Sequence, residues 1–171
     1  MNKKRMLLQA CCGPCAVDVL PAFTELYDVT LFFAGNNFDT EQEFEKRLAA
    51  LRTVNKELNN GAEIIIVPYN HSLFLGMIMG LENETEGGKR CEVCYRMRLL
   101  ATAEYAKANG YDCFSTSLGV SPYKHSETMN KIGNEISEEI GIQYISTSIK
   151  SGKQRFSDIY YQNYCGCEFS K

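Results

Sequence analysis

Met6-Leu7-Leu8-Gln9-Ala10-Cys11-Cys12-Gly13-Pro14-Cys15 is the stretch that decides the fold. Met6 to Ala10 fits a buried strand, and Gly13-Pro14 then breaks the run ahead of a helical pattern over Val17 to Leu26. Outward from there the alternation recurs as Val29 to Phe33, then Glu41 to Leu58, and as Ile64 to Val67, then Leu73 to Leu81. Thr40 with Glu43 is a capping-box pattern, and Phe44, Leu48, Leu51, Val54 and Leu58 follow it at helical spacing. Glu82 to Arg90 is polar, holds Gly87-Gly88, and reads as a loop into a helix from about Glu92 to Asn109, which stops at Gly110. A strand at Cys113 to Ser117 follows, then a helix opened by Ser121-Pro122 and closed by Gly141 after Ile140, then a last strand near Gln143 to Thr147. This punctuation predicts an α/β fold: a mostly parallel sheet flanked by helices in three layers, Rossmann-like in the broad sense. Ligands gather beyond the carboxyl ends of strands in such sheets, which singles out Cys11 to Cys15, Asn36 to Asp39 and Ser117 to Lys124.

The 171 residues suit a single catalytic domain, 1–171, whose C-terminal Cys-Gly-Cys tail is expected to return to the active site. With 44% hydrophobic and 23% charged residues, disorder and low complexity are poor descriptions. A formal charge of -3 excludes a strongly basic, non-specific nucleic-acid binder and leaves room for a local basic patch. The apolar stretch near Met6 is too short for a lipoprotein signal, and no run approaches a membrane span. A cytoplasmic protein without a membrane partner is expected, in which clustered cysteines mean metal or redox chemistry more often than structural bridges.

Seven of the 8 cysteines fall into three clusters: Cys11, Cys12 and Cys15; Cys91 and Cys94; Cys165 and Cys167. Cys113, within an apolar strand, reads as a buried small hydrophobe. The first two clusters lie at predicted helix starts, where the helix dipole favours thiolate. Gathered by the fold, they suit zinc or an iron–sulfur cluster, and the surplus over one site predicts either a second metal centre or a dithiol that cycles. Cys165 and Cys167, if bridged, would close a strained and reducible loop. Two rivals stand beside this reading. Cys12-Gly13-Pro14-Cys15 is the thioredoxin active-site sequence, placed between a strand and a helix, and predicts a thiol-disulfide oxidoreductase using Cys12 and Cys15. That chemistry gives no role to the other clustered cysteines. A purely structural zinc site leaves the same surplus.

The chain resembles the epoxyqueuosine reductases of the QueH type. The likeness rests on Leu7 to Cys15, Glu41 to Leu48, Gly87 to Leu99, Ser115 to Lys124 and Tyr161 to Cys167, and spans nearly the whole chain in order. It implies an enzyme that reduces epoxyqueuosine to queuosine in the tRNA anticodon with a 4Fe-4S cluster, served by an external electron donor. Carried over by position, Cys11, Cys12, Cys91 and Cys94 match the cluster ligands. Cys165 and Cys167 match a C-terminal pair that is either a redox dithiol or, with Cys15, holds a second iron. A related iron–sulfur enzyme acting on another modified nucleotide is the alternative, because Ala34-Gly35-Asn36-Asn37 departs from the family pattern.

Tyr164, Lys124 and Asp158 are candidate proton donors by nearness to these motifs. Lys89-Arg90, Arg96, Arg98 and the stretch Lys150 to Arg155 are placed against tRNA phosphates, and Ser117, Ser121 and Lys124 against a phosphate or sugar hydroxyl. His71 and His125 read as helix-start and surface residues.

Overall fold

Strand β1 (Lys4–Ala10) is the centre of the molecule: Met6, Leu7, Leu8, Gln9 and Ala10 are wholly buried. Such a near-continuous apolar run is what a parallel strand covered on both faces requires. The structure, a computed structural model, describes residues 2–120, 125–149 and 156–171. From β1 the chain runs through α1 (Gly13–Leu26), β2 (Tyr27–Phe33), α2 (Glu41–Leu58), β3 (Ile64–Ile66), α3 (His71–Met77), α4 (Lys89–Ala108), β4 (Cys113–Thr116), α5 (Ser126–Ile140) and β5 (Gln143–Tyr144). The sheet has 5 strands in the order β3-β2-β1-β4-β5, and every neighbouring pair is parallel. This is the α/β fold expected. Right-handed crossovers place α1 and α2, which pack on each other, on one face, and α4 and α5, likewise paired, on the other. Strand order reverses between β1 and β4, the kind of switch point beyond which open α/β sheets bind ligands.

Several boundaries differ from the sequence reading, and each shift bears on the site. Helix α1 begins at Gly13, not Val17, because Cys12 is its extended N-cap and Pro14 fits the first turn, where a missing N–H costs nothing. Helix α4 begins at Lys89, so Lys89 and Arg90 belong to the helix rather than to the loop before it. Helix α3 covers His71–Met77 rather than Leu73 to Leu81. Strand β4 ends at Thr116, and a single 3₁₀ turn, Leu118–Val120, follows Ser117. Helix α5 begins at Ser126 because His125 before it is extended (φ -91°, ψ 114°), and the opening expected at Ser121-Pro122 lies outside the described residues. Residues 121–124 and 150–155 lie outside the described part, and with them Ser121, Lys124 and the basic stretch Lys150 to Arg155.

Candidate metal and redox site

Beyond the end of β1, the Sγ atoms of Cys11, Cys12 and Cys15 lie within 4.8 Å of one another, and all three residues are buried. Cys11 is the last residue before the cap, Cys12 is the N-cap of α1 and Cys15 stands in its first turn. Gly13 between them is required by packing, since a Cβ there would meet the Ala50 carbonyl oxygen of α2 at 2.9 Å. The motif that suggested thioredoxin thus brings α1 against α2 and turns three thiols inward. Among the described residues, no second group of three metal-binding side chains is this tight.

The other clusters come to the same end of the sheet. Cys91 and Cys94, on the first turns of α4, line one pocket with Cys165, Cys167, Phe74, Tyr95 and Arg98. The Gly87 N–H donates to Cys91 Sγ at 3.2 Å, and Arg98 Nη2 to Cys94 Sγ at 3.4 Å. Cys165 and Cys167 stand 3.7 Å apart, sulfur to sulfur. Phe74 and Ile78 pack against Cys94 and Cys167 and exclude water from that side. Arg98 lies within electrostatic reach of Cys94, Cys11 and Cys165, one from each cluster.

A polar clamp brings the tail here. Arg47 of α2, 1% exposed, binds Glu43 through Nε (2.6 Å) and donates to the carbonyls of Cys165 (3.0 Å) and Tyr164 (3.1 Å). Tyr160 donates to the Glu43 carboxylate, Tyr164 to Asp39 at 2.8 Å, and Lys171 pairs with Asp39 at 2.5 Å. Burial works against the Asp39 charge, yet Lys171 and the Tyr164 hydroxyl hold the carboxyl below its usual range. The Asp39 N–H donates to Gly166 O at 2.9 Å. Gly166 has φ +118°, and a Cβ there would meet the Phe38 ring at 2.5 Å, so both the backbone angle and the close approach require glycine. On the far side, His71 bridges Asn36 O (2.9 Å) and Glu168 Oε1 (3.0 Å).

The expectation that the helix start favours thiolate is reversed for the first cluster. Its hydrogen bond with Cys11, reinforced by burial, pushes the Cys12 thiol up to about 12, although the contact with Cys15 acts the other way. Hydrogen bonds to Cys11 and Cys12, with burial, raise Cys15 as well. Three thiols packed together resist ionisation because each charge would face the others. That is the opposite of an activated thioredoxin nucleophile, and nothing in the structure favours that use of Cys12 and Cys15. The triad can hold a metal ion, whose positive charge reverses this logic, and thiolate sulfur suits zinc, copper(I) or iron–sulfur centres.

The phosphate-facing assignment of the α4 arginines needs correction. Arg90 is 2% and Arg98 1% exposed, so neither reaches a surface phosphate. Arg90 donates to the carbonyls of Leu81, Glu82 and Glu84, and Arg96 is paired with Glu139 at 2.5 Å. Of that group, Lys89 is the exposed cation without such a tie. Ser117 is fully buried with its hydroxyl unpartnered, Asp158 is exposed, and His71, expected at the surface, is the tie between α3 and the tail. Cys113 is buried within β4, as expected. Sequence reasoning missed Arg47, Glu43 and Asp39 as the anchors of the tail. Helical spacing of Glu43 and Arg47 was a visible signal, but it reads equally as a surface ion pair.

A family model described as epoxyqueuosine reductase QueH matches residues 6–171. A protein of Streptococcus pyogenes serotype M1 named epoxyqueuosine reductase QueH is 32% identical over 177 residues, covering 96% of this chain and 69% of that protein. Proteins of the same name from Staphylococcus aureus and Acinetobacter baylyi are 29% and 33% identical, covering 98% and 99% of this chain and 76% and 81% of theirs. Among described residues, no helix is long and apolar enough to cross a membrane.

Proposed function

Because the chain belongs to the epoxyqueuosine reductase QueH family, we propose that it reduces epoxyqueuosine in tRNA to queuosine, with Cys11, Cys12, Cys91 and Cys94 holding a 4Fe-4S cluster. The observation that carries this reading is the convergence of three cysteine clusters, remote in sequence, around one buried arginine at the switch point of the sheet. Opening an epoxide to an alkene takes two electrons and two protons and releases water, and no side chain but a dithiol is itself a source of electrons. A bound iron–sulfur cluster supplies electrons one at a time from an external donor.

The residues fit such a group. The donors are soft thiols, and the buried Arg98 has Nε and Nη1 without partners, which calls for negative charge beside it. Cys15, Cys165 and Cys167 then remain as the holders of a second iron or, for the last two, as a cycling dithiol. The Arg47 clamp holds the backbone at Tyr164 and Cys165, and Phe74 with Ile78 keeps water from Cys94 and Cys167. Tyr164, tied to Asp39, and Lys124 are the proposed proton donors. Lys89 at the exposed start of α4 is a proposed phosphate contact, and a cytoplasmic location follows from a tRNA substrate.

Cys91→Ser tests the assignment. Iron content and reduction of epoxyqueuosine-containing tRNA are expected to fall together, at least tenfold in turnover. A variant that keeps both at the wild-type level contradicts the cluster as assigned.

A further inference from the structure

Three arginines are buried against the cysteine segments, and they differ in how their donors are used. Arg47 engages Nε, Nη1 and Nη2 with Glu43 and two tail carbonyls. Arg90 leaves Nε unpartnered but gives Nη1 to three loop carbonyls and lies over the Phe169 ring. Arg98 is different. It is 1% exposed, its Nη2 reaches Cys94 Sγ at 3.4 Å, and its Nε and Nη1 have no partner. A guanidinium carries five N–H donors and cannot shed its charge, so burying it with donors unused is costly unless an anion completes the site. Among the described residues, no carboxylate is hydrogen-bonded to it; Cys91, Cys94, Cys165, Cys167 and Tyr95 line the pocket it borders, with Arg90 and the Glu86 carboxylate at the same pocket, and Cys11 lies within electrostatic reach.

We propose that Arg98 is the internal counter-charge of the iron–sulfur centre, donating its Nε–H and Nη1–H to sulfurs of that centre and raising its reduction potential. The proposal rests on the reading of the cysteines as a 4Fe-4S site. Each reduction adds one electron from the external donor, and therefore one negative charge, to a centre already negative through its thiolates. A fixed positive charge and N–H···S hydrogen bonds stabilise the reduced state more than the oxidised one. Arginine stays charged in both states, so no proton moves to or from Arg98 with the electron. Arg98 thus sets how readily the centre accepts an electron, separately from the cysteines that hold it.

The test is a potentiometric titration, followed by electron paramagnetic resonance, of the full chain reconstituted without oxygen as wild type, Arg98→Met and Arg98→Lys. At the wild-type midpoint, Arg98→Met is expected to show a reduced-to-oxidised ratio at least tenfold lower, equivalent to a downward shift of about 59 mV for one electron. Arg98→Lys, which keeps the charge without the fork, falls between. Equal midpoints in all three chains overturn the proposal. A wild-type chain that takes up no iron or sulfide overturns the cluster reading itself, which is told apart because the failure precedes any substitution. Thermal melting of the metal-free proteins supplies a second readout. Arg98→Met is expected to melt no lower than wild type without metal, since it removes a buried uncompensated charge, and lower than wild type once loaded. A lower melting temperature already in the metal-free form marks Arg98 as a packing prop and overturns its role as counter-charge. If Arg98→Met folds but does not load, the Lys variant decides. A midpoint below that of wild type supports the proposal, while a wild-type midpoint or failure to load overturns it.

Discussion

Arg47 holds the tail with every nitrogen of its guanidinium engaged, and Glu43 beside it is only 6% exposed. Removing one partner of such a buried pair leaves the other charged and uncompensated. Arg47→Met is therefore expected to cost about 3–5 kcal/mol in denaturant unfolding. It should also free the Cys165-Gly166-Cys167 turn and abolish turnover, whereas a loss below about 1 kcal/mol, the scale of an exposed pair, would contradict the clamp. His71 makes a second, weaker tie. Burial alone would lower its pKa, but its hydrogen bonds with Glu168 and the Asn36 carbonyl raise it above 6.5. A raised folded value means the protonated form favours the docked tail. The stabilising contribution is therefore fully present below pH 6.5 and fades as pH rises through the folded pKa. The difference in unfolding free energy between wild type and His71→Gln should shrink over that window, and a difference that grows with pH would contradict the assignment.

At the scale of elements, helix α2 links local sequence to the site. Its limits, Glu41–Leu58, are those the sequence predicts, and Thr40 Oγ1 accepts from the Glu43 N–H at 3.1 Å. Thr40→Ala is expected to cost about 1 kcal/mol in equilibrium unfolding, and a neutral result would show that the cap is not what fixes the helix start. Only half of the capping box forms. The Glu43 side chain turns away to Arg47 and Tyr160, so a residue that reads locally as a cap is committed to a tertiary contact with the tail. The same limit explains the arginines of α4. Lys89-Arg90, Arg96 and Arg98 read in sequence as a basic stretch placed against phosphates, because hydropathy cannot show that Arg90 and Arg98 turn inward to loop carbonyls and thiols. Periodicity located the helices well; it could not locate buried charge. The helix starts at Gly13 and Lys89 lay a few residues earlier than apolar spacing suggested, because their first turns carry cysteines rather than aliphatic side chains.

For the whole molecule, alternation of short apolar runs with longer amphipathic ones was enough to give a parallel α/β sheet. The strand order was not legible, and it is the order that matters for function. Placing β1 between β2 and β4 puts Cys11, Cys12 and Cys15 at the switch point, and the crossover from β3 to β4 brings α4 with Cys91 and Cys94 to the opposite face. The tail completes the set through contacts with α2 and α3. Cysteine spacing showed that the thiols belong to chemistry, while their meeting depends on contacts between residues more than a hundred positions apart, such as Arg47 with Cys165. The central claim is that these segments form one iron–sulfur site. Iron and sulfide analysis of protein purified and reconstituted without oxygen, with visible and electron paramagnetic resonance spectra before and after dithionite, tests it most directly. About four irons and four sulfides per chain with a reducible cluster signal are predicted, and a fifth iron would assign Cys15, Cys165 and Cys167 to a second centre. A colourless, iron-free protein that reduces disulfides after attempted reconstitution would contradict the account.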